Sequence, residues 1–231
     1  MLNTPPQLTP RLLKIADLIH PCNCMADIGT DHAYLPVYLC MTNKCKTAIA
    51  SDIRKGPLQR AASTVSKYNC TDIIETRLGG GVSTITANEA ESIVIAGMGG
   101  LIISQILSEG FDIVTSAKQI ILQPMTATEE LREYLSSNGF EIIGEYLAKE
   151  DAKIYNILSV RYSGISYSLS EVELYLGKDI KENNPELFPE YLEKKKKKLV
   201  NMIKGLELAV GSDSTAKLDK TKYLLSALEN F

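Results

Sequence analysis

Two carboxylates bracket a glycine in the stretch Met25-Ala26-Asp27-Ile28-Gly29-Thr30-Asp31-His32-Ala33-Tyr34-Leu35-Pro36. Read locally, this is the end of a buried strand, a tight turn and the first turn of a helix. Gly29, two residues after Asp27, permits a sharp turn and the close approach of a ligand. Such strand–glycine–helix units hold nucleotide-like cofactors in open α/β sheets. Asp31 stands where a dinucleotide-binding loop needs glycine, and a carboxylate there opposes a pyrophosphate at a helix N-terminus. A loop with Asp27, Thr30 and Asp31 suits a cofactor that lacks phosphates and carries positive charge. S-Adenosylmethionine, with its sulfonium and α-ammonium groups, meets that description.

Three further segments carry the same kind of signal. Thr47 to Asp52 reads as a strand ending on a carboxylate, and Asp52 lies 21 residues after Asp31. That is the spacing at which an acid takes ribose hydroxyls, with Ile53 beside it; the alternative is a strand-end cap. Gly79-Gly80-Gly81 follows a strand over Ile73 to Arg77, so the backbone there turns or closely approaches a ligand. Ser92 to Ala96 is a continuous apolar run ending in Gly97-Met98-Gly99-Gly100. Ala96, Gly97 and Met98 are expected at the cofactor, with Gly99 and Gly100 leaving room for a substrate base. Tyr34 and Met98 offer flat or polarisable faces for an extruded base, or else pack in the core. His32 either orients the loop or touches substrate. Arg77 either meets phosphate or pairs with a surface acid.

These loops need a scaffold that brings strand ends together. A helix over Leu8 to His20 opens the chain, with Thr9 as N-cap and Pro10 at the first helical position. Strands are expected at Cys24–Ile28, Thr47–Asp52, Ile73–Arg77, Ser92–Ala96 and Gln119–Gln123, the last ended by Pro124. Helices at Ala33–Met41, Gly56–Tyr68, Leu101–Leu107 and Ala127–Ser137 alternate with them. Phe140–Leu147 and Lys153–Tyr162 form an antiparallel hairpin. The expected fold is therefore α/β: a seven-stranded, mostly parallel, Rossmann-like sheet with a terminal hairpin. All four glycine- or acid-rich segments lie at the carboxyl ends of its strands, where such sheets bind ligands.

After Tyr162 the pattern changes. Residues 163–168 read as a linker, and helices are expected at Ser170–Asn183, Pro185–Val210 and Asp213–Asn230, the last two a short coiled-coil-like hairpin turning near Gly211. The division is a domain over 1–162 and a C-terminal helical domain over 163–231. Residues 166–231 carry eleven basic and eleven acidic groups, yet Lys194 to Lys198 are consecutive. Lys194, Lys195, Lys197 and Lys198 either make a solvated helix face or contact phosphates.

Composition narrows the class. The chain has 231 residues, 45% hydrophobic and 23% charged, with a net charge of −3. That is globular and no polycation, so nucleic-acid contact must come from local basic patches. No apolar run is long enough to span a bilayer, and Met1 to Thr9 has no secretory pattern, so a cytoplasmic protein without membrane contact is expected. Five cysteines without zinc spacing point to free thiols and no metal site.

The segments Ala26 to Pro36, Ile95 to Gly100 and Leu122-Gln123-Pro124 together resemble the bacterial tRNA (adenine-22-N1)-methyltransferase family, TrmK. The resemblance runs over essentially the whole chain. It implies a class I methyltransferase that uses S-adenosylmethionine on N1 of an adenine in the D-arm region of tRNA, and a monomer is expected. It also implies a catalytic part for Asp31. Two positions depart from the family pattern: Asp52 stands where Glu is usual, and Gly80 stands where Asp or Asn contacts the cofactor adenine. No Asn-Pro-Pro-Tyr pattern follows the fourth strand, which fits a target other than the exocyclic amine. A methyltransferase acting on a small molecule or protein, and a non-catalytic RNA-binding module, are the competing readings.

Overall fold

The structure, a computed structural model, describes residues 4–208 and 212–231. Helix α1 (Pro10–Leu18) precedes strand β1 (Cys22–Ile28), followed by α2 (Tyr34–Met41), β2 (Cys45–Asp52), α3 (Lys55–Lys67) and β3 (Ile74–Leu78). Then come β4 (Ser92–Gly99), α4 (Gly100–Glu109), the single turn α5 (Phe111–Val114), β5 (Gln119–Thr126) and α6 (Thr128–Ser137). The hairpin β6 (Phe140–Glu150) and β7 (Lys153–Tyr162) closes the sheet, whose order is β3-β2-β1-β4-β5-β7-β6. Strands β1 to β5 are parallel and β7 runs antiparallel to both neighbours. The expected sheet is thus present. The chain reverses its order of winding between β1 and β4, and at such a switch point the loops part to leave a crevice.

The central strands are buried on both faces, and their side chains alternate between two cores. Met25, Val94 and Ile121 point toward α1 and α2, together with Ile15, Ile19 and Leu39. Ala26, Ile28, Ile93, Ile95, Ile120 and Leu122 point the other way, toward Ile103 and Leu107 of α4 and Leu131 and Leu135 of α6. Two buried glutamines on the first face hold α1 at both ends. Gln119 accepts from the His20 amide (3.0 Å) and donates to the Leu18 carbonyl (2.9 Å), while Gln123 accepts from Arg11 Nη1 (2.6 Å).

Several boundaries differ from expectation for local reasons. Strand β5 continues through Pro124 to Thr126, because register shifts around Met98 in the β4 partner leave the missing proline N–H without a ladder bond to lose. The expected helix over 170–183 is two pieces, α7 (Glu171–Leu176) and α8 (Ile180–Asn183), broken where Gly177 takes φ +114°. Helix α9 (Phe188–Glu207) and α10 (Ser212–Leu228) run antiparallel, since Phe231 at the chain end meets Phe188 at a ring separation of 6.3 Å. The expected end of the first of these helices at Val210 and the turn at Gly211 lie outside the described residues.

The helical unit is docked against the sheet. Leu147 and Ile154 of the hairpin pack with Tyr175, Leu176, Phe188, Leu192, Leu199 and Leu228. Beneath them lies a fully buried ion pair: Arg132 of α6 grips Glu145 of β6 through Nε and Nη2 at 2.9 and 2.8 Å. Arg132 Nη1 also donates to the Leu174 carbonyl (2.6 Å), and Lys178 N donates to Glu145 (3.0 Å). One buried cation therefore ties sheet, hairpin and helical unit together. Among the described residues no helix is long and apolar enough to cross a membrane.

Candidate active site

The crevice above β1, β2 and β4 holds two adjoining cavities, of about 520 and 380 Å³, which share Gly29, Arg54, Ala96 and Gly97. The larger is mainly apolar and lies over β2, β3 and α4. The smaller lies toward α1 and α2 and is polar. The join between them is made by Gly29, whose φ is +79°, and a side chain there would meet Met98 Cε at 2.3 Å. Glycine is favoured there by the left-handed backbone conformation, and any side chain would also have to displace the methionine methyl resting on it. The amides of Gly29 and Thr30 donate to the Ser51 carbonyl (2.8 and 2.9 Å), which fixes the loop against the end of β2.

The larger cavity gathers Asp52, Ile53, Gly79, Gly80, Ala96, Gly97 and Met98, all expected at the cofactor. Asp52 is buried, and one carboxylate oxygen accepts from the Arg54 amide at 2.8 Å. Ile53 is 71% exposed and lies over Gly80: a Cβ on Gly80 would sit 3.2 Å from Ile53 Cδ1. The absence of a side chain at Gly80 is therefore matched by an isoleucine in its place. The pair makes an apolar wall where the related pattern has a polar residue.

The polar cavity gathers Asp27, Gly29, Thr30, Asp31, His32 and Tyr34. Asp27 is buried, and burial pushes its carboxyl up to about 6, with the charge of Asp52 adding to the effect. Asp31 stays half-exposed at the rim with φ +45°, its carboxylate gripped by Arg60 and 3.6 Å from His32 Nε2. His32 and Tyr34 stack at 5.4 Å with rings 9° apart, and Tyr34 is exposed. Both face the opening instead of packing in the core.

Three arginines belong to this site that the sequence reading missed. Arg54, directly after Ile53, lines both cavities, and Arg60 from α3 holds Asp31. Arg11 comes from α1, 112 residues from Gln123 and farther still from Tyr155. Its Nη1 donates to Gln123 Oε1, which also accepts from the Gly97 amide at 3.1 Å, and its guanidinium lies over the Tyr155 ring at 5.1 Å. Only tertiary packing reveals Arg11; the Arg-Leu-Leu helix start gives no local sign of it.

Other expected contacts are corrected. Gly99 and Gly100 do not line either cavity: a side chain on Gly100 would strike the Ala127 carbonyl at 2.0 Å, and one on Gly99 would lie 3.1 Å from Thr126 Oγ1. These glycines let α4 pack on the β5–α6 connection. Lys195 turns inward, donating to the Tyr175 carbonyl (2.6 Å) with its ammonium 4.1 Å from the Tyr175 ring centre. Burial lowers its pKa to about 7, and its ammonium is engaged by the Tyr175 carbonyl and ring instead of facing outward with the rest of the lysine run. In the structure it lies four residues from each of the buried Tyr191 and Leu199, on the inner stripe of α9. Arg77 pairs with Glu75 and Glu89 at 2.6 and 2.7 Å, the surface-acid alternative. Lys194 reaches Glu190 (3.0 Å) and the Ala152 carbonyl (2.6 Å), whereas Lys197 and Lys198 are exposed.

Known proteins resemble this chain in sequence and fold. The family model described as TrmK, tRNA (adenine(22)-N(1))-methyltransferase, matches residues 25–230. The chain belongs to this family. The Bacillus subtilis tRNA (adenine(22)-N(1))-methyltransferase is 39% identical over 169 residues, covering 70% of this chain and 71% of that protein. The crystal structure of the B. subtilis M1A22 tRNA methyltransferase TrmK superposes with a TM-score of 0.85 at 31% identity, over 97% of this chain and 98% of that one. A Streptococcus pneumoniae structure in complex with S-adenosyl-L-methionine gives a TM-score of 0.82 at 30% identity, over 95% of this chain and all of that one. The sheet is accordingly that of a class I methyltransferase.

Proposed function

We propose that this TrmK-family chain transfers a methyl group from S-adenosylmethionine to N1 of adenine 22 in tRNA. The observation that carries the reading is the pair of joined cavities, one apolar with a ribose-type acid and one polar with two carboxylates, meeting at the Gly29–Gly97 notch. The cofactor supplies an electrophilic methyl on a sulfonium. The residues present fit it. Thr30 Oγ1, beside the Asp27 carboxyl, and Arg11 Nε, 3.8 Å from Glu150 Oε2, are buried without a hydrogen bond of good geometry among the described residues, and both residues belong to walls of the polar cavity. A buried polar atom left unpaired is costly, so a ligand carboxylate there relieves both. Asp27 in the same cavity suits the ammonium, Asp52 the ribose hydroxyls, and the Ile53–Gly80 wall the adenine ring.

The chain's part in the reaction follows from position and charge. Holding two reactants in line supplies most of the acceleration of a simple displacement. Adenine N1 has a free in-plane lone pair, so no base is needed. The methylated ring is cationic, and Asp31 at the rim accepts a hydrogen bond from the adenine amino group while opposing the growing charge. Arg60 and His32 hold Asp31 in place. His32 and Tyr34 offer an aromatic face to a base taken out of its stack. The helical unit of residues 163–231 adds Lys197 and Lys198 as phosphate contacts, and a tRNA substrate makes this a cytoplasmic activity.

The deciding experiment is transfer of labelled methyl to unmodified tRNA carrying adenine at position 22, beside the same transcript with guanine there. Label on the adenine form alone is expected. Equal label on both would discard the position; label on neither, with the cofactor still bound, would discard the reaction.

A further inference from the structure

A third cavity of about 400 Å³ lies beside the site, between the end of β5, the tip of the β6–β7 hairpin and α9. Pro124, Met125, Thr128, Lys153, Tyr155 and Lys194 line it. Arg11 is the partition between this groove and the polar cavity. Its guanidinium carbon lies 5.1 Å from the Tyr155 ring centre on one side, and its Nη1 lies 3.6 Å from where a Gly97 side chain would begin on the other. The groove is therefore continuous with the crevice, separated by one side chain.

The lining has two chemical ends. Near Arg11 stand an aromatic ring and the thioether of Met125, which is 45% exposed. Farther out stand cations. Lys153 has no ion-pair partner among the described residues, and Glu190 is shared between Lys194 and Lys149. Of the other acids nearby, Glu150 faces Arg11 at 3.8 Å and Asp151 tops the hairpin turn. From Lys194 the exposed Lys197 and Lys198 follow three and four residues on, along one side of α9. Stacking surfaces followed by a line of lysines match single-stranded nucleic acid, whose bases stack and whose backbone tracks positive charge.

We propose that this groove receives the RNA strand directly flanking the target nucleotide, one base against Tyr155 and Met125 and the phosphates along Lys153 and the α9 lysines. The inference rests on the tRNA methyltransferase reading and extends it to a second contact surface. The test is filter binding of unmodified tRNA to the full chain across a salt series, beside calorimetry with S-adenosylhomocysteine. Lys153→Ala is expected to reduce the slope of log affinity against log salt by about 0.7, the value for one lost contact to a single strand. Tyr155→Leu is expected to weaken tRNA binding about fivefold or more at every salt concentration with the slope kept. Cofactor affinity should not change in Lys153→Ala. If both variants bind tRNA as the wild type does while the wild type methylates adenine 22, the groove proposal is overturned and the reaction stands. If the lysine-dependent slope is found but no methyl is transferred, the groove stands and the reaction falls.

Discussion

Asp27 is the place where stability and cofactor binding pull against each other, and pH separates them. Its carboxyl is buried and raised from the ordinary 3.8 to about 6. A carboxyl raised on folding contributes stability that is complete below 3.8 and lost as pH climbs through about 6. At about 1.4 kcal/mol per pH unit the loss amounts to about 3 kcal/mol, constant at higher pH. Asp27→Asn keeps the shape and never ionises. In urea unfolding it should exceed the wild type by about 3 kcal/mol at pH 8 and by little at pH 4. Binding should move the opposite way, because the ligand ammonium needs the ionised carboxylate. Calorimetry with S-adenosylhomocysteine should show wild-type affinity falling about tenfold per pH unit below about 6 and flat above it, and a weak, pH-independent affinity in Asp27→Asn. A variant no more stable than wild type at pH 8, or a wild-type affinity flat between pH 5 and 7, would refute the reasoning.

Three other substitutions probe separate parts of the molecule. Arg132→Met strands the fully buried Glu145 with the Lys178 amide as its remaining donor, and should cost about 3–5 kcal/mol in urea unfolding; adding Glu145→Leu should recover most of it, and a single-variant loss under about 1 kcal/mol contradicts the account. Gly29→Ala forces a side chain onto a left-handed residue and against Met98 Cε, so cofactor affinity should drop about tenfold or more with an unchanged circular dichroism spectrum; affinity within twofold would mean that the loop yields freely. Asp31→Asn should leave S-adenosylhomocysteine binding intact and lower single-turnover methylation about a hundredfold. Near-normal turnover would remove Asp31 from the chemistry.

Much of the fold could be read from the chain because parallel strands buried on both faces are continuous apolar runs, and Ser92 to Ala96 or Gln119 to Leu122 have little else to be. The loops that line the candidate site were legible for a related reason: Gly29 and Asp52 sit at strand ends, where position in sequence fixes position in space. What could not be read depends on contacts distant in sequence. Arg11 enters the site only because Gln119 and Gln123 fasten α1 across the first face of the sheet, and neither glutamine shows that duty locally. Gly99 and Gly100 have the composition of a ligand loop, yet helix packing against Ala127 uses up their freedom. Lys195 belonged to a run of five, and a run conceals which member turns inward.

The Arg132 ion pair has a consequence for how this protein finds its target. Lysine contacts to phosphates carry no base sequence. One buried guanidinium binds α6, β6 and the end of α7 together, and so fastens the helical unit that carries Lys197 and Lys198 to the sheet that carries the Gly29 notch. On the proposed function, the two ends act as the jaws of a caliper, one at the Gly29 notch and the other on the outer helix. On that same proposal, an RNA is then selected by the distance from its backbone to the target adenine as well as by that base itself.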